Sequence, residues 1–167
     1  MNRHRLSLLW VSGTLAFGLL SMLVPLPAVL QSFKPYWPAL ILLYWTIESG
    51  DRITLGVAFA VGLCADLLDG QLLGEQALRL CALVFIVLRF RSRLRFFPMW
   101  QQAAAVLVLL LNDRVLQLVV RTFAGESLPS ASWWISPFVG ALLWPFVFLL
   151  LDDLRMHSVA HSRSPTR

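Results

Sequence analysis

The sequence predicts an all-α membrane protein, a bundle of six transmembrane helices, and three observations carry that expectation. Of 167 residues, 58% are hydrophobic and only 14% are charged, with a mean hydropathy of +0.72; such a balance suits lipid as solvent better than an ordinary soluble core. Long apolar runs recur along the whole chain. The arginines gather in alternate connections between those runs.

A helix needs about 20 apolar residues to cross the hydrocarbon, and the runs fall at 6–24, 36–48, 53–68, 72–90, 98–123 and 133–151. The first follows Arg3 and Arg5. It is long for a signal peptide, and Pro25-Leu26-Pro27-Ala28 offers no small-x-small cleavage site, so it reads as an uncleaved span. The second is the weakest, because only 13 residues separate Lys34 from Glu48; these side chains must snorkel or the bilayer must thin. In the third, Ala58, Gly62 and Asp66 recur at every fourth position, a face on which small side chains admit another helix closely. That helix could belong to this chain, to a partner or to a second copy in a homodimer. Gly70 and Gly74 continue the series but suit the turn into the fourth run, since glycine accepts positive φ.

The fourth run opens with Glu75 and Arg79, acid first and four apart, the favourable order for an ion pair on one helix face. The competing arrangement has Arg79 reach Asp66 across the short turn. The run leads into Arg89, Arg91, Arg93 and Arg95, alternating with Phe90, Ser92, Leu94 and Phe96, a cluster suited to anionic lipid headgroups or to a cytoplasmic protein. The fifth run carries Asp113, Gln117 and Arg121 at four-residue steps, with Arg114 beside them. A polar stripe of this kind must be hidden from lipid, and it would line a cavity, meet Asp66 and Arg79, or receive a partner helix. Pro38 and Pro137 fall in first turns, where the missing N–H is harmless, whereas Pro145 lies mid-run and should kink the sixth helix. The membrane domain thus covers 1–154, and 155–167, rich in Ser, Arg and His, reads as a disordered tail.

Lys34 is the only lysine, so thirteen of the fourteen basic residues are arginine. With the N-terminus inside, Arg3, Arg5, Arg52, Arg89, Arg91, Arg93, Arg95, Arg155, Arg163 and Arg167 lie on the cytoplasmic side, against Lys34 and Arg121 outside. That asymmetry favours six crossings and cytoplasmic termini. A four-crossing chain, with the second and third runs re-entrant, satisfies the same rule.

Functional groups are sparse. His4, His157 and His161 all lie in the termini, HExxH is absent, and so is a glycine-rich phosphate loop. Cys64 and Cys81 lack metal-ligand spacing. The expectation is therefore no enzyme, no cofactor, no metal and no nucleic acid, with Asp66, Glu75, Arg79, Asp113, Arg114 and Gln117 as a buried polar network.

On several motifs the chain resembles the MreD family. They are Pro35-Tyr36-Trp37 leading into Leu40-Ile41-Leu42-Leu43-Tyr44-Trp45; Asp66-Leu67 with Gly70, Gly74, Ala77 and Leu78; Trp100-Gln101-Gln102; and Leu143-Trp144-Pro145. The resemblance implies a multi-pass protein of the bacterial inner membrane that binds MreC. It would work with MreB, RodA and a penicillin-binding transpeptidase in lateral wall synthesis and cell shape. It also implies a fold similar to the substrate-binding subunits of energy-coupling-factor transporters, without implying their ligands. Glu75 and Arg79 stand outside the family pattern.

Overall fold

The computed structural model describes residues 2–24, 27, 33–50, 53–70, 72–126 and 129–160, with side chains described between 10 and 156. These residues form six α-helices and no strand: α1 Asn2–Leu20, α2 Trp37–Ser49, α3 Leu55–Asp69, α4 Glu75–Leu94, α5 Met99–Phe123 and α6 Ile135–Ala160. A 3₁₀ turn, Ala131–Trp134, leads into α6.

The shortest apolar run forms the centre. With 13 residues, α2 is only about 20 Å long at the helical rise, less than a hydrocarbon core of about 30 Å. It meets protein instead of lipid: Pro38 to Ile47 are all buried, against α1, α4 and α6. Its flanking charges are satisfied inside the protein. Lys34 Nζ donates to the carbonyls of Met22 and Val24 at 2.7 and 3.1 Å. At the other end the Glu48 carboxylate pairs with Arg155 and, at 3.9 Å, with Arg95. Tyr36 shares its end with Gln76 of α4, to which its hydroxyl donates at 2.9 Å, whereas Tyr44 donates to Asp152 of α6 at 3.2 Å. So α2 runs the length of the bundle, and α3 returns to bring Asp66 back beside Gln76.

The remaining helices pack mainly as chain neighbours, α3 on α4, α4 on α5 and α5 on α6. The surface they present is apolar, with Phe17, Leu67, Phe85, Val108, Leu142 and Phe146 all exposed, while Asp66, Glu75, Arg79, Asp113 and Gln117 are buried. This inversion of the soluble pattern suits a lipid environment. Two helical segments, Met99–Phe123 and Ala131–Met156, are long and apolar enough to cross a membrane unaided. The other helices fall short through length, as α2 does, or through charge, as α4 does with its arginines.

Three boundaries differ from expectation. The first helix ends at Leu20, and Met22 and Leu23 tighten into turns on Leu19 and Leu20, which leaves the carbonyls of Met22 and Val24 for Lys34. The fourth starts at Glu75, because Gly74 stands at φ +97°, and extends to Leu94 so that Arg91 and Arg95 reach α2. The sixth continues to Ala160. This corrects the expected disordered tail over 155–160: Arg155 is drawn back to Glu48, and no Gly or Pro interrupts the segment. Residues 161–167, with Arg163 and Arg167, lie outside the described residues, as do Arg52 and the side chains of Arg3 and Arg5.

Candidate functional site

The α3–α4 turn is built around Asp66. A helix N-terminus leaves its first N–H groups without partners and carries partial positive charge. Asp66 answers both: its carboxylate accepts from the backbone N–H of Gly74 and Gln76, each at 2.8 Å, and of Ala77 at 3.3 Å. Gly70, at φ +64°, closes α3 by donating its N–H to the Asp66 carbonyl at 3.0 Å. The expected alternative, in which Arg79 reaches Asp66, is therefore corrected, since the backbone has claimed that carboxylate.

The small-residue face is used within the chain. A Cβ on Gly62 would lie 2.2 Å from Ala77 Cα and 2.6 Å from its nitrogen, and Ala58 is fully buried. As a seam for a partner helix, Ala58, Gly62 and Asp66 are already occupied by α4. Gly70 and Gly74 serve the turn.

Arg79 joins α4 to α5. Its Nε donates to Asp113 Oδ1 at 2.9 Å, its second guanidinium nitrogen binds Asp113 Oδ2, and its third reaches Glu75 Oε1 at 3.2 Å. Arg79 and Asp113 have 4% and 2% of their side chains exposed, so a bidentate fork is formed where charge is most costly to leave alone. Tyr36 lies under the guanidinium, 5.1 Å from ring centroid to Cζ. The i,i+4 pair exists, but the stronger partner comes from the next helix. The stripe on α5 faces inward: Gln117 accepts from Arg114 at 2.7 Å, and Arg121 lies 3.6 Å from Glu75 and 3.5 Å from Glu126.

These groups surround a cavity of about 320 Å³ at the α1–α2 and α3–α4 connection end. Its lining brings Arg79, Arg114, Gln117 and Arg121 together with Lys34, Tyr36, Gln76 and Trp133. The last four were not legible as site residues: Lys34 reads as a flanking charge, Tyr36 and Trp133 as interfacial aromatics, and Gln76 as a neighbour of Glu75. Only Gln76's place in the first turn after a glycine hinted at its role.

At the opposite end the arginine cluster divides by helical phase. Arg91 Nε donates to the Ile47 carbonyl at 3.0 Å and its terminal nitrogen to the Glu48 carbonyl at 3.3 Å, satisfying the C-terminus of α2. Arg95 reaches Glu48. Arg89 and Arg93 are exposed. No group of three or more potential metal-ligating side chains occurs among the described residues.

Over residues 4–154 the chain matches the family model of the rod shape-determining protein MreD. The chain belongs to the MreD family. The rod shape-determining protein MreD of Haemophilus influenzae is 32% identical over 139 residues, covering 83% of this chain and 86% of that protein. No solved structure matches. Membership makes this a rod shape-determining chain and agrees with helices apolar enough for membrane insertion.

Proposed function

We propose that this chain is a non-catalytic, multi-pass component of the bacterial elongation machinery, in the inner membrane with both termini cytoplasmic. It binds MreC and helps to organise lateral peptidoglycan synthesis with MreB, RodA and a penicillin-binding transpeptidase. Family membership carries the reading, and the apolar exterior over a charged interior supports the membrane placement. The buried charges have structural employment: Asp66 caps α4, Arg79 joins α4 to α5, and Glu48 ties α2 to α6. Arg89 and Arg93, exposed beyond the membrane-facing part of α4, meet anionic lipid headgroups of the cytoplasmic leaflet.

Depletion in a rod-shaped host tests the reading: cells round up, and MreC no longer co-purifies with MreB-associated membranes. Rods of normal width after depletion would reject it. The cavity favours a second reading, a small-molecule-binding transporter subunit with the energy-coupling-factor type of fold. Loss of uptake of a nutrient with shape unchanged would select that reading instead.

A further inference from the structure

We propose that the cavity at the Lys34 and Arg114 end is a binding site for a phosphate group. The four cations on its wall are not equivalent. Arg79 and Arg121 have carboxylates within ion-pair distance. Among the described residues, Lys34 and Arg114 have none. Lys34 donates to two main-chain carbonyls, and Arg114 to the Gln117 amide oxygen, with its Cζ 4.6 Å from the Trp133 ring centroid. These partners satisfy hydrogen bonds without cancelling charge. Asp69, the one carboxylate on the wall, accepts from the Gln76 amide at 3.2 Å.

Two cations on a cavity wall with no carboxylate in ion-pair contact, beside an apolar exterior, suit an anion from outside the chain. Stacking on Trp133 fixes the guanidinium plane of Arg114, so its edge is left for acceptors. Phosphate fits better than carboxylate: the donors arrive from separate elements, Lys34 before α2, Arg114 and Arg121 on α5, and Ser130 before α6. A phosphate supplies oxygens in enough directions to meet them. The space, about 320 Å³, lies at the lower bound of small-ligand pockets, room for a phosphate with a short substituent. A phospholipid headgroup and a soluble phosphate ester share that chemistry. The site stands whether the chain acts in cell shape or in transport.

The test uses the full chain in neutral detergent. Native mass spectrometry reads retention of phosphatidylglycerol over phosphatidylcholine from mixed micelles, and thermal unfolding compares inorganic phosphate, acetate and chloride at equal ionic strength. The wild type is expected to retain phosphatidylglycerol, or to be stabilised by phosphate beyond acetate. Lys34→Gln/Arg114→Gln lowers that preference about tenfold, the ratio a charge-assisted hydrogen bond is worth. Arg93→Gln, exposed at the far end, leaves the response to inorganic phosphate unchanged. Retention without a phosphate response assigns the lipid headgroup; the reverse assigns a soluble phosphate. Arg114→Lys keeps the charge without the fork, so it should bind between wild type and the double variant, and it carries the test if the double variant fails to fold. The proposal is overturned if wild type shows neither a preference for phosphatidylglycerol nor stabilisation by phosphate beyond acetate, if Arg93→Gln lowers the phosphate response, or if Arg114→Lys gives the wrong order.

Discussion

Arg79 is held by two carboxylates and an aromatic ring in the interior of the bundle, so its removal leaves more behind than a missing contact. Arg79→Met keeps the stem's volume but strands buried Asp113 without its cation and leaves buried Glu75 with Arg121, at 3.6 Å. Breaking a buried pair from one side costs about 3–5 kcal/mol, which at this chain length lowers the midpoint of thermal unfolding by roughly 10 °C or more. Removing both carboxylates as well, in Arg79→Met/Asp113→Leu/Glu75→Gln, is expected to recover most of that loss, because apolar replacements of a buried pair are close to neutral. Equal melting of wild type and Arg79→Met in detergent would show that the fork contributes nothing. The residues of this network were legible as charges at membrane depth. Their pairing was legible only as one of three courses open to the α5 stripe, since four-residue spacing reports neighbours on one helix and does not select Asp113, which lies 34 positions away.

At the scale of elements, the α3–α4 hairpin depends on backbone approach as much as on side chains. The spacing of Ala58, Gly62 and Asp66 announced a close helix contact, and such a contact is what the hairpin makes. The identity of the neighbour was hidden, because small residues permit any helix to approach, and only the chain's path selects α4. The prediction at Gly62 follows from which atoms it meets. A methyl there would overlap Ala77 Cα and N, so Gly62→Ala forces the helices apart, at a cost of about 1–3 kcal/mol by the usual measure of overpacking. Ala77→Gly does not rescue it, as the clash is with main chain that every residue has. Thermal unfolding of the single and double variants decides this, and full rescue by Ala77→Gly would place the contact elsewhere. The helix boundaries were less legible for a related reason: hydropathy fades at Lys34 or Arg89, whereas helices stop where a partner takes their end groups, as Asp66 does for α4 and Arg91 for α2.

For the molecule as a whole, the decisive feature is that a helix too short for lipid runs through the centre with its ends in separate polar clusters. Hydropathy alone ranks 36–48 as the poorest span, because it assumes every crossing helix meets lipid. In the folded chain α2 is sheathed by protein, so its length is set by the distance between the Lys34 and Glu48 partners. The clusters also give the topology a test. Ser49, beside Glu48, belongs to the Arg91–Arg155 end, while Glu126, paired with Arg121, belongs to the cavity end. In a chain whose own cysteines are changed, Cys64→Ala/Cys81→Ala, Ser49→Cys is expected to react with an impermeant maleimide only from the cytoplasmic side, and Glu126→Cys only from outside. Labelling of both positions from outside would select the four-crossing course, with the second and third runs re-entrant and the Arg89–Arg95 cluster still cytoplasmic.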